Sequence, residues 1–271
     1  MQILPLLLAC GVLLTGCIIP RIQTSRLGPD RILSDAEVLK VNELIAQADR
    51  LWKSRVEPGN ADKALETLNE SIKIAPHNSQ SLWRAARACY WLAERAGEAN
   101  DKPTQLKLAE QGIDFGKHAI AVDTERKEGY YYLALSYAMR ADASPTTGLT
   151  LVPTMIKLLK RADEPVGPGL DYSGPDRVMG QIYLQAPPWP TSVGDVDEAM
   201  DHLEDACDDH PEFPENNLAL GEAYLKIRKY GDARKHLNRV LAAQPAPDWA
   251  AELPRLQQRA QEMLAKIPLK K

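Results

Sequence analysis

One cysteine in this sequence stands in a reactive setting. Ile3 to Leu14 is a nearly unbroken apolar run that ends in Leu14-Thr15-Gly16-Cys17. The run is too short to cross a bilayer and has the length of an export-signal core. The small residues before Cys17 give a peptidase access, as in a bacterial lipobox, and the Cys17 sulfur is then the nucleophile that takes a diacylglycerol. Lipid chains on Cys17 anchor the mature chain without a spanning helix, because each buried methylene contributes about 0.8 kcal/mol. No Lys or Arg precedes the run, so either the free amino group serves in that role or translation begins upstream of Met1. The competing reading is an ordinary cleaved signal, or a buried helix that contains Cys17. The neighbouring Leu7-Leu8-Ala9-Cys10 would leave too short an apolar core.

Beyond Cys17 the sequence offers little chemistry. His77, His118, His202, His210 and His236 fall into no HExxH or His-Cys metal pattern. His202, Asp208, Asp209 and His210 form a polar cluster, read here as a solvated helix end rather than a metal site. There is no GxSxG and no glycine-rich phosphate loop. These absences argue against an enzyme, a metal site and any cofactor. With Cys10 lost in the signal, Cys89 and Cys207 are the remaining thiols, and both fall in helical stretches. They read as two buried thiols rather than a disulfide. A formal net charge of −4, with 26% charged residues in no basic cluster, gives no reason to expect nucleic acid.

The elements that position the remaining side chains follow from a period. Thirty-four residues separate Ala199 from Ala233, Leu203 from Leu237, Ala206 from Val240 and Pro211 from Pro245. That is the period of a tetratricopeptide helix-turn-helix unit. Ser34-Asp35-Ala36-Glu37 has the form of a capping box and opens the first helix, which a turn at Pro58-Gly59-Asn60 closes. A second unit opens near Ser79, breaks at Gly97 to Pro103 and resumes from about Thr104 to Val122. A third opens at Tyr130 and continues, past a loop at Asp142 to Thr147, into a Leu151–Ala162 helix with an internal Pro153. The fourth carries Met179, Gly180 and Tyr183, and then an insertion, Gln185 to Asp195, before its second helix. The fifth carries Leu220, Gly221 and Tyr224, and a polar helix from Asp248 to Ile267 caps the stack. The expected fold is all-α: a tetratricopeptide-type solenoid of about five divergent helix pairs with a C-terminal capping helix. The expected division is a lipoprotein signal at 1–16, a lipidated tether at 17–33 and the solenoid at 34–271.

In such a stack the first helix of each pair lines a concave groove. The inward positions include Arg84, Trp91, Tyr131, Arg177, Gln181 and Glu222. Arg84 and Arg177 have the geometry to pair with a ligand carboxylate, or with Asp and Glu on neighbouring helices. Tyr131 offers a hydroxyl and Trp91 an apolar wall. An Arg177 that serves a ligand is expected to be dispensable for stability. Trp189, in the Pro-rich insertion, either covers the cleft, anchors a partner or folds back as a plug.

The segment Tyr172-Ser173-Gly174-Pro175-Asp176-Arg177-Val178-Met179-Gly180, leading to Ala186-Pro187-Pro188-Trp189-Pro190 and Gly194-Asp195, resembles the TatT proteins, as does the lipobox followed by divergent repeats. These are lipoprotein components associated with tripartite ATP-independent periplasmic (TRAP) transporters. The resemblance spans about residues 40 to 245 and rests on packing and loop motifs. It implies an all-helical periplasmic protein with a ligand-accessible cleft that docks a periplasmic transport protein, with self-association left open. It also implies a small organic acid or apolar ligand. Ile18 after Cys17, by resemblance to known sorting rules, favours the periplasmic face of the outer membrane. The alternative is a protein–protein scaffold for envelope assembly. The extra residues at 96–104, 142–150 and 185–195 are the expected places for whatever is bound.

Overall fold

The computed structural model describes residues 32–163 and 169–268. The signal run, Cys17 and all of the tether but its last two residues lie outside them. The described residues form helices α1 (Asp35–Lys53), α2 (Asn60–Ile74), α3 (Ser79–Glu98), α4 (Lys102–Val122), α5 (Lys127–Ala143), a single turn α6 (Pro145–Gly148), α7 (Val152–Asp163), α8 (Gly174–Gln185), α9 (Val196–Asp209), α10 (Pro214–Lys226), α11 (Tyr230–Ala242) and α12 (Leu253–Ala265). The only β pairing among them is an isolated bridge between Pro188 and Gly194. No helix among them is long and apolar enough to cross a membrane.

The helices pair antiparallel as α1/α2, α3/α4, α5/α7, α8/α9 and α10/α11, each pair packing on the next, and α12 covers the last. The residues that return every 34 positions are the reason. Ala199, Leu203 and Ala206 of α9, and Ala233, Leu237 and Val240 of α11, are all fully buried. Small residues opposite them let the helix axes approach. A Cβ on Gly180 would lie 2.6 Å from Leu203 Cγ and 3.0 Å from the Ala199 carbonyl oxygen. A Cβ on Gly221 would lie 2.9 Å from Leu237. Such contacts are closer than carbon atoms tolerate, so only glycine allows this crossing.

Local signals behave as their chemistry dictates. The Ser34 hydroxyl accepts from the Glu37 N–H and the Glu37 carboxylate accepts from the Ser34 N–H, which completes the capping box. Gly59, at φ +81°, makes the left-handed turn that starts α2. Four boundaries differ from the sequence expectation, the first being the expected loop at Asp142 to Thr147, most of which is the end of α5 and the turn α6. Gly97 stays inside α3, and α4 begins at Lys102 with Pro103 in its first turn, where a missing N–H costs nothing. The break between them is therefore only residues 99–101. Pro153 likewise sits in the first turn of α7 rather than inside it, after a 3₁₀ turn at Leu149–Leu151. The final helix is shorter than expected, because residues 247–252 form turns before α12 begins at Leu253. Cys89 and Cys207 are free, buried thiols, and burial raises each to a pKa of about 12.

The glycine geometry gives an expectation of opposite signs for one substitution. Gly180→Ala forces Leu203, which has no room to move, and is expected to destabilise by about 1–3 kcal/mol. Gly231 in α11 has nothing within 4 Å of an added Cβ, so Gly231→Ala is expected to be neutral or to stabilise by up to ~1 kcal/mol. Thermal or urea unfolding of the two variants checks the pair.

Candidate functional site

The first helices of the five pairs (α1, α3, α5, α8 and α10) line the concave side, together with α12. They line a half-open cavity of about 480 Å³. The groove is not left open along its length, because the turn before α12 and α12 itself reach across to the first two pairs. Glu252 accepts from Arg55 Nε at 3.1 Å and from the indole N–H of Trp91 at 2.7 Å. Its second oxygen takes Arg255 Nε at 3.3 Å, and Arg255 continues to Glu98 at 3.1 Å and Glu94 at 3.7 Å. Burial pushes the Glu252 carboxyl up, but Trp91, Arg55, Arg255 and Arg95 outweigh it and the net shift is downward. The carboxylate is thus held charged where it ties residues 197 positions apart.

A second cluster lines the same cavity. Arg177 is 3% exposed. It donates to Asp171 Oδ2 at 2.6 Å, to the Asp171 carbonyl at 3.1 Å, to Asn216 Oδ1 at 2.7 Å and to the Tyr131 hydroxyl oxygen at 3.3 Å. Glu215 lies 3.8 Å away, and the guanidinium covers Phe213. Tyr131 in turn donates to Asp171 at 2.6 Å. Burial works against the Arg177 charge, and Tyr131, Asp171 and Glu215 more than offset it. The cluster holds an unusual backbone: Asp171, Tyr172 and Ser173 lie in succession at φ +51°, +55° and +59°. A left-handed non-glycine residue costs roughly 1–2 kcal/mol, so three in a row persist only where other contacts fix them. Arg177 grips Asp171 twice, Tyr172 stacks on Phe213 at 4.4 Å and Ser173 donates to Asp209 at 3.0 Å.

The structure places the expected site residues unequally. Trp91, Tyr131, Arg177, Gln181 and Glu222 line the cavity. Arg84 does not; it donates to Asp49 at 3.0 Å and to Gln80 at 2.7 Å and lies over the Trp83 ring. Arg177 lines the cavity but is not spare for a ligand, which corrects the expectation that stability does not need it. Trp91 is a hydrogen-bond donor as well as a wall. Trp189 is 85% exposed and does not line the cavity, so it neither covers the cleft nor plugs it. Its loop is pinned below by Asp195 N–H to the Tyr183 carbonyl and Gly194 N–H to the Pro187 carbonyl. His202 is used locally, 2.8 Å from Asp176 and stacked on Tyr183, and no group of metal-ligating residues gathers among the described residues.

Sequence reasoning missed Arg55, Glu215, Glu252 and Arg259 on the wall. Glu215 opens α10 just ahead of the expected groove positions on that helix. The other three lie after α1, before α12 and on α12, where a repeat register says nothing about facing.

Residues 192–253 match the tetratricopeptide-repeat family model. Residues 44–148 match the model of the regulator of microtubule dynamics proteins 1–3. Among solved structures, a thermophilic tetratricopeptide protein of Thermus thermophilus, TTC0263, superposes with a TM-score of 0.62 over 83% of this chain and 99% of its own, at 21% identity. The fold is that of the tetratricopeptide-repeat proteins. Pseudomonas aeruginosa PilF (TM-score 0.55, 14% identity, 86% of this chain and 90% of that one) shares it. So does the type IV pilus biogenesis factor PilW (0.50, 14% identity, 88% and 96%). A search of curated proteins finds no significant match.

Two outcomes follow from these clusters. Arg177→Ala is expected to destabilise by about 2–3 kcal/mol, because it leaves buried Asn216 and half-buried Asp171 without their partner; unfolding in urea measures it. Glu252 has a lowered folded pKa, so its stabilisation is present above the ordinary value of 4.5 and is lost as pH falls through the folded value. Glu252→Gln is expected to flatten stability against pH below 4.5, and an unchanged acid limb would contradict the closing role.

Proposed function

We propose that this chain is a lipid-anchored, non-catalytic binding component whose concave cavity, crossed by α12, takes a small solute. On this reading Cys17 carries the anchor, the solenoid stands in the periplasm, and the solute passes to a transport partner, as the TatT-like resemblance implies for a TRAP-type system. The observation that carries the reading is the closure by Glu252. A groove for an extended peptide has to stay open along its length, whereas this one is crossed by α12. Its volume of about 480 Å³ lies in the range of small-ligand sites. Its wall combines aromatic and aliphatic side chains such as Tyr90, Trp91 and Ile182 with many ionic ones, which suits a polar solute better than an apolar one.

A scaffold for envelope assembly is the second reading, and Trp189 favours it. An indole 85% exposed on a pinned, Pro-rich loop is the kind of anchor a protein partner buries. The two readings occupy different faces, so one experiment separates them. Native mass spectrometry of the mildly purified mature chain is expected to show a retained small molecule that is released on unfolding and absent from Glu252→Ala. Retention of a protein or peptide alone, lost in Trp189→Ala, would move the function to the scaffold. Cys17→Ser is expected to abolish palmitate incorporation and release the chain from the membrane fraction.

A further inference from the structure

The charges around the cavity are nearly all spent on the protein itself. Arg55 and Arg255 serve Glu252, Glu94 takes Arg95 and Arg255, and Asp171 takes Arg177. Arg87 pairs with Asp49 at 3.3 Å while lying over Trp52, and Asp142 pairs with Lys102 at 2.8 Å. Two ionic side chains on the wall remain without a hydrogen bond or ion pair among the described residues: Arg259 of α12 and Glu222 of α10. They stand on helices that pack together, yet they form no ion pair with one another. The amides of Gln181 and Gln185, one helix further along on α8, are equally unused and face the same space. The hydroxyl of Tyr90 and the buried Nε of Arg87 add donor capacity nearby.

We infer that the cavity takes a small zwitterion of the amino-acid class, its carboxylate received by Arg259 and its ammonium by Glu222. This rests on the small-solute reading above and narrows it. A purely anionic ligand would satisfy Arg259 but add a negative charge beside Glu222, Glu215, Glu94 and Asp171. A purely apolar one would bury Arg259 and Glu222 without partners, which is costly in a partly desolvated site. A molecule carrying both charges satisfies each group, and the amides of Gln181 and Gln185 supply the remaining polar contacts. Tyr90, Trp91 and Ile182 bound the space available to its side chain.

The test is isothermal titration calorimetry on the mature chain. A pool of the twenty protein amino acids is resolved to the binder, which is compared with its des-amino acid and its decarboxylated amine. The zwitterion is expected to bind about 10- to 100-fold more tightly than either, since each analogue forfeits one charge-assisted contact. Glu222→Gln is expected to bring the zwitterion down to the affinity of the des-amino acid, and Arg259→Gln to that of the amine, with unfolding midpoints unchanged because neither side chain is tied into the fold. If the des-amino acid binds as tightly as the zwitterion and Glu222→Gln changes nothing, the zwitterion assignment fails while the small-solute cavity stands. If none of the three binds, and native mass spectrometry also finds no retained small molecule, both fall.

Discussion

The Glu252 carboxylate sets what this solenoid is. In a repeat stack each unit touches only its neighbours, so curvature accumulates from small rotations and the two ends are ordinarily ignorant of each other. Here one carboxylate receives Arg55 from the turn inside the first pair, Trp91 from the second and Arg255 from the capping helix. Charge-assisted bonds of this kind contribute about 1.5–3 kcal/mol each. The Arg55 and Trp91 bonds are long-range contacts, 197 and 161 positions apart, and neither lies within one helix pair. Closure is therefore separable from folding, and it is closure that makes a groove into a cavity.

The Arg177 cluster is a second constraint, of a different kind. It fixes a backbone rather than joining two ends. Three successive left-handed residues put the Asp171 carboxylate between Tyr131 of α5 and Arg177 of α8, while Asn216 ties both to α10. Asn216 is fully buried and spends its amide on the carbonyls of Tyr172 and Ala206, so the cluster is closed on itself. Removing Arg177 from such a network leaves Asn216 and Asp171 without that partner. It positions the cavity wall and has little left to offer a ligand, which leaves recognition to side chains the fold does not use.

Much of the fold was legible because tetratricopeptide packing is local. Gly180 against Leu203, and Gly221 against Leu237, are contacts within one repeat, and the 34-residue period states them directly. The same reasoning put Gln181 and Glu222 on the concave face, where they are found. It failed where a side chain's use depends on what arrives from elsewhere. Arg84 and Arg177 have the same promise in the sequence; one is taken by Asp49 of the preceding repeat and the other by a turn that no repeat contains. The polar α12 read as a lid on the core's end. That it also crosses the groove follows from the summed rotation of five irregular pairs, which no single segment encodes. The insertions proved a mixed guide: residues 96–104 are mostly helix extension, whereas residues 185–195 form the loop that displays Trp189.

The central claim is that the coil is closed in solution, and a distance across the closing gap tests it most directly. Spin labels at Lys53 on α1 and Gln258 on α12, both exposed, report that gap by double electron–electron resonance. The account predicts one narrow distance distribution in the otherwise native chain, and a longer, broader one in Glu252→Ala with helix content preserved. A broad distribution in the native chain, or one that Glu252→Ala leaves unchanged, would contradict it.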